Sequence, residues 1–277
     1  SIIYAGCNGN SDNMLSDNSP QPTPTLALSP TPLPTAGNLE DQQLKTVDDL
    51  IISMTLEEKV GQIFIVAFRE DSSSHPITSL DATTKQQIHD FNPGGVVLFS
   101  ENIDTIPQTQ KLIKDMQENS KIPMFIAVDE EGGRISRIGN NPKIHSTKIP
   151  SANIIGLADD PELAYQAGTV LGKELSSLGF NMNFAPVADV NTNPQNPVIG
   201  DRAYGSDPYN VGSIVQEISK GMQDQGVCSV LKHFPGHGDT SLDSHHGQVV
   251  INHDIERIRQ IELIPFEKGI QSGADGV

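Results

Sequence analysis

The chain has 277 residues, enough for one large domain and a tail, and carries 18 basic against 35 acidic side chains for a formal charge of −17. That balance argues against nucleic acid and anionic membrane surfaces as partners, and says little about a neutral ligand. The two cysteines, Cys7 and Cys228, lie in very different surroundings and do not suggest a disulfide framework.

Residues 1–7 read as the end of a secretory segment. Ala5-Gly6-Cys7 resembles a bacterial lipobox, in which the cysteine is lipidated, although Tyr4 departs from the aliphatic residue usual there. A free cysteine is the alternative. Residues 8–46 are mostly Ser, Thr, Pro, Asn, Asp and Gln, too poor in apolar surface to order themselves. Their prolines favour extended geometry, so the segment is expected to be a disordered, semi-stiff spacer. Anchor, spacer and globular domain together predict an extracytoplasmic, cell-surface lipoprotein of a bacterium that touches the membrane only through its lipid.

The globular part, 47–277, alternates short apolar runs with amphipathic stretches. Thr55 is the expected N-cap of a first helix, with Glu57 and Glu58 in its first turn and Val60 facing inward. Ile63 to Phe68 reads as a buried strand. A helix over 81–91 ends at Asn92-Pro93-Gly94, before a second strand over 95–99. A helix over 106–119, with Pro107 near its start, leads to a third strand over 124–128. Asp129 stands at that strand's tip, followed by Glu130, Glu131, Gly132, Gly133 and Arg134. Asp129 could accept two hydrogen bonds from a ligand, cap a helix, or pair with Arg134.

A helix over 161–178 leads to a fourth strand, 181–184. After it come Asp189 and then Arg202, which can fork onto oxygen acceptors or brace Asp189. A helix over 208–225 leads to the fifth strand, 227–231. A single helix is expected over 255–271, and Gly276-Val277 would begin a sixth strand. Strands alternating with helices imply a parallel sheet with right-handed crossovers. No glycine-rich phosphate loop follows the first strand, and the polar clusters sit at strand C-terminal ends. Both points favour a closed eightfold barrel over an open doubly wound sheet.

The densest cluster follows the fifth strand. Between Leu231 and His246 lie four histidines (His233, His237, His245 and His246) and two aspartates (Asp239 and Asp243). Pro235, Gly236 and Gly238 rule out a helix there, so the stretch is a loop. Metal binding, a plain polar surface loop, and acid–base chemistry by an Asp243–His245 pair all compete for it. An aspartate can hold one imidazole nitrogen and free the other to move a proton near neutral pH.

The run Lys232-His233-Phe234-Pro235-Gly236-His237-Gly238-Asp239-Thr240, followed by Asp243-Ser244-His245, resembles the signature of glycoside hydrolase family 3, in its β-N-acetylglucosaminidase branch. The segments around Asp129 and Arg202 resemble the same family, with Ala203-Tyr204 where Ser-Phe is more usual. The resemblance implies a (β/α)8 TIM barrel that hydrolyses terminal β-linked N-acetylglucosamine with retention, on cell-wall or chitin-type glycans. It implies His245 as general acid/base oriented by Asp243, sugar binding by Asp129, Arg202, Lys232 and His233, and no use of Glu130 or Glu131 in catalysis. No cofactor and no metal are expected, since Pro235-Gly236 breaks the helix that His233 and His237 would need as paired ligands, and a monomer is the default. About five βα units are present, so the barrel is expected to be truncated, without the nucleophilic aspartate that the family carries after its seventh strand. A β-glucosidase of the same family and a non-catalytic sugar-binding lipoprotein are the other readings.

Overall fold

Short-range signals set the helix boundaries. The computed structural model describes residues 47–241 and 253–277. Cys7, the 8–46 spacer, Asp243 and His245 lie outside the described residues. The described chain opens with helices α1 (Val47–Ser53) and α2 (Leu56–Gln62). Thr55 caps α2 in a capping box, its hydroxyl accepting from Glu58 N while the Glu58 carboxylate accepts from Thr55 N.

Strand β1 (Ile65–Val66), helix α3 (Ala82–Phe91) and strand β2 (Gly95–Val97) follow, then helix α4 (Ile106–Glu118) and strand β3 (Phe125–Val128). A small antiparallel hairpin, β4 (Glu130–Gly132) and β5 (Ile135–Ser136), comes next, with helices α5 (Ala152–Ala158) and α6 (Pro161–Leu178). Strand β6 (Met182–Asn183), helix α7 (Pro208–Gln223), strand β7 (Cys228–Ser229) and helices α8 (Ile255–Gln260) and α9 (Leu263–Gln271) complete the described elements.

The five strands β1, β2, β3, β6 and β7 form one parallel sheet in that order. Gly276 extends the order by a parallel bridge to Val230. Each strand therefore lies beside its predecessor. A doubly wound sheet reverses direction at a switch point, whereas a (β/α)8 barrel does not, and the order here is the barrel's. Ile88, Leu98, Met116, Ile126, Phe180, Leu175 and Met222 are buried between the sheet and its helices.

Helix α6 shows how the sequence sets its own limits. The Asp160 carboxylate accepts from Glu162 N and Leu163 N, Pro161 occupies the first turn, and Gly179 takes the left-handed conformation (φ 100°) that ends it. Gly168 in α6 and Gly221 in α7 let the two helices approach at backbone distance. A Cβ on Gly168 would lie 2.2 Å from the Ile218 carbonyl oxygen. Gly168→Ala is therefore expected to destabilise the fold by about 1–3 kcal/mol despite its better helix propensity, because the obstacle is backbone. A denaturant melt checks this, and a midpoint at or above wild type would show that the helices separate without cost.

Two expectations are corrected. Val60 does not face inward, and the apolar run at 63–65 is not buried: Ile63 is 77%, Phe64 53% and Ile65 40% exposed. Only Ile65 of these three lies in a strand, β1, which pairs only with β2 among the described residues. The helix over 255–271 is two helices. Pro265 lacks a backbone N–H and its ring would meet the Ile261 carbonyl, and Ile261 leaves the helical region (φ −132°, ψ −68°).

Candidate active site

The site is assembled where β3, β6 and β7 end. The extended chain from Asp129 to Glu131 alternates its side chains. Glu130 turns away from the site, and its carboxylate accepts from Ser136 Oγ and from the backbone N–H groups of Arg137 (2.6 Å), Ile138 (2.8 Å) and Gly139 (3.1 Å). Burial raises its carboxyl above the ordinary range even against those donors. Its backbone is pinned to β6, with Asn183 Oδ1 accepting from Glu130 N at 3.0 Å and Asn183 Nδ2 donating to Glu130 O at 2.9 Å. Glu130 thus anchors the hairpin.

Asp129 and Glu131 face the site. Lys232 Nζ reaches Asp129 Oδ1 at 2.7 Å and Glu131 Oε1 at 2.6 Å. Arg202 forks onto Glu131, Nε to Oε2 and Nη2 to Oε1, both at 2.8 Å. Burial alone would raise the Glu131 carboxyl, but the Arg202 hydrogen bonds and the Lys232 charge outweigh it and hold the group below its usual range. Burial would likewise lower the Arg202 guanidinium, and Glu131 more than compensates, shifting it up. Arg137 Nη2 stands 3.9 Å from Asp129 Oδ2. Arg202 is delivered by a 3₁₀ turn, Gly200–Arg202, whose approach is shaped by Asn196 Oδ1 accepting from Val198 N and Ile199 N.

Lys232 and His233 leave the sheet just beyond β7. The Lys232–His233 and Phe234–Pro235 peptides are cis. His233 Nδ1 is 2.6 Å from Asp189 Oδ2, and its Nε2 is 3.0 Å from Arg202 Nη2. Asp189 Oδ1 also accepts from His233 N and His237 N. Farther along the loop, Asn196 Nδ2 donates to His237 O, and Asp239 is held by Thr192 Oγ1 at 2.7 Å and by His253 Nε2. Burial pushes the Asp239 carboxyl up, but Thr192 and His253 prevail and lower it.

Asp129, Arg202 and the adjacent pair Lys232-His233, from three separate stretches of the chain, therefore form one connected network through Glu131. Two pairings weighed from the sequence are replaced. Arg134 pairs with Asp201 rather than Asp129, and Arg202 braces Glu131 rather than Asp189. Glu131 and Asp189 are the residues that sequence reasoning undervalued. Spacing offered a signal for the first, since a residue two along from Asp129 in an extended segment shares its face. Among the described residues no three His, Cys, Asp or Glu side chains converge as metal ligands. His233 and His237 meet edge to face, ring centroids 6.0 Å apart.

Chemically, the cluster offers acceptors (Asp129) beside cationic donors (Lys232, Arg202), and side-chain exposure rises from 5% at Glu131 to 22% at Asp129 and 34% at His233. A polyol needs that mixture, because each hydroxyl both donates and accepts.

The sequence matches the description "Glycosyl hydrolase family 3 N terminal domain" over residues 55–277. Beta-hexosaminidase A of Pseudoalteromonas piscicida is 35% identical over 240 residues, which are 82% of this chain and 40% of that protein. Beta-hexosaminidase of Hydrogenovibrio crunogenus is 36% identical over 206 residues, 72% of this chain and 56% of that protein. This chain thus spans about half the length of these curated relatives. A solved glycoside hydrolase family 3 beta-N-acetylglucosaminidase from Paenibacillus sp. str. FPU-7 superposes with a TM-score of 0.74 at 38% identity, covering 80% of this chain and 41% of that one. NagZ from Neisseria gonorrhoeae, solved with N-trifluoroacetyl-D-glucosamine, gives 0.70 at 29% identity, covering 77% and 61%. The parallel barrel order, the cluster at the strand ends and these matches agree: the chain belongs to glycosyl hydrolase family 3, within the N-terminal domain of that family.

Proposed function

We propose that this chain binds the terminal sugar for a retaining β-N-acetylhexosaminidase, which releases β-linked N-acetylglucosamine from cell-wall or chitin-type glycans. The observation that carries the reading is the joining of Asp129, Lys232, Arg202 and His233 through Glu131 at the C-terminal ends of β3, β6 and β7. Relatives named beta-hexosaminidase support the choice of sugar. His245, oriented by Asp243, is the proposed acid/base; its basis is the loop motif in the sequence. The nucleophile is assigned to no residue here. A lipid on Cys7, a cell-surface location and a monomeric state complete the proposal.

The test is substrate choice by the intact protein. An aryl N-acetyl-β-glucosaminide should be turned over roughly 10²-fold or more faster than the aryl β-glucoside at equal subsaturating concentration, since specificity is the ratio of kcat/KM values. Equal or better turnover of the glucoside would move the chain to the β-glucosidase reading. Sugar binding without turnover of either would support a binding lipoprotein instead.

A further inference from the structure

One contact in the cluster fixes the place of a proton. Arg202 Nη2 lies 3.0 Å from His233 Nε2. Guanidinium nitrogens only donate, so Nε2 is the acceptor and the ring proton sits on Nδ1. There it meets Asp189 Oδ2 at 2.6 Å. The opposite tautomer would set two N–H groups against each other at Arg202 and two lone pairs against each other at Asp189. Asp189 is fully buried, and its Oδ1 takes the backbone N–H groups of His233 (3.2 Å) and His237 (2.7 Å). It therefore holds both the ring and the loop that presents it.

The effect passes to Arg202. Its Nε and Nη2 are held by Glu131 and by His233. Among the described residues, Nη1 reaches only the Val198 carbonyl, at 3.4 Å. Nη1 is thus the edge of the guanidinium left with hydrogen-bonding capacity for a ligand. Both ring nitrogens of His233 are engaged, so the state of the ring is passed on to Arg202.

We propose that Asp189 is a positioning residue for sugar binding: by keeping the proton on His233 Nδ1 it maintains Nε2 as an acceptor and so orients Arg202 Nη1 toward the sugar. The identity of the sugar rests on the function proposed above, whereas the proton assignment does not.

Asp189→Asn tests this with little change of shape. The amide oxygen can still accept from His233 N and His237 N, while its NH2 group now donates to Nδ1 and drives the ring proton to Nε2, against Arg202. Two measurements are needed on the intact protein. Long-range ¹H–¹⁵N spectra of histidine-labelled protein report the tautomer, with the His233 signal identified by its loss in His233→Gln. Calorimetric titration with N-acetylglucosamine, and with glucose, reports binding. The wild type should show the Nδ1–H form, Asp189→Asn the Nε2–H form, and sugar affinity should fall about 10- to 100-fold, as for loss of a hydrogen bond to a charged group. An Nε2–H wild type overturns the inference even if the variant does not fold. So does a variant that switches tautomer yet binds sugar as before, or one that keeps the wild-type tautomer. If glucose binds in preference to N-acetylglucosamine, the substrate reading fails, and the loss of glucose affinity on Asp189→Asn decides the inference in its place.

Discussion

On the function proposed above, replacing His245 by alanine in the intact protein should slow hydrolysis of an ordinary N-acetyl-β-glucosaminide by about 10²–10⁴-fold and slow a substrate with a strongly acidic leaving group far less. The departing oxygen of an alkyl glycoside is basic and must be protonated as the bond breaks, whereas a nitrophenolate leaves unaided. The gap between the two substrates isolates proton donation from every other service the loop performs. Asp243→Asn moves in the same direction, because an amide can present its donor to the imidazole and favour the wrong tautomer. Both residues lie outside the described part of the chain, but the loop that leads to them is tied to the site. Asn196 holds His237 O at 2.8 Å, and Thr192 and His253 hold Asp239. A plot of log rate against leaving-group acidity is the measurement. Parallel lines for wild type and His245→Ala would mean that the residue positions the sugar and that the acid lies elsewhere.

Glu131→Gln should cost about 3–5 kcal/mol of folding stability, the range for removing one partner of a buried ion pair. The carboxylate is almost fully buried and serves Arg202 and Lys232 together, so its loss leaves two cations crowded and under-compensated. The effect carries a pH signature. Its folded-state value lies below the ordinary range, so the unfolded chain holds a proton on this group more readily than the folded one. Its contribution is therefore complete above the unfolded value of about 4.3 and fades as the pH falls through the lower, folded-state value. Urea titrations of both proteins from neutral pH into that window should show the gap closing. A gap that does not change with pH would reduce Glu131 to a packing residue.

Local chemistry was readable where it is settled locally. Asp160, Pro161 and Gly179 bound α6 within a few residues of chain, and Thr55 with Glu58 starts α2, so both helices could be placed from the sequence. The apolar run at 63–65 misled because burial depends on what lies across the sheet, which periodicity does not report. The break between α8 and α9 was within reach, since Pro265 announces it. In the site, the residue types were readable and their partners were not. Arg202 finds Glu131 71 positions away, and His233 finds Asp189 44 positions away. Those pairings come from three strands ending side by side, a relation that no window of sequence contains.

Three acids stand in a row at 129, 130 and 131, and parity alone separates their chemistry. The odd positions meet Lys232, while the even one is buried among backbone N–H groups, its carboxyl raised above the ordinary range by that burial. The pleat of the chain thus sorts identical functional groups into opposite surroundings. Shifting the row by a single residue would seat Glu130 against Arg202 and drive a charge meant for cations into the hairpin, with the local composition untouched. The stretch consequently resembles a reading frame: it is more tolerant of a change of letter than of a change of count.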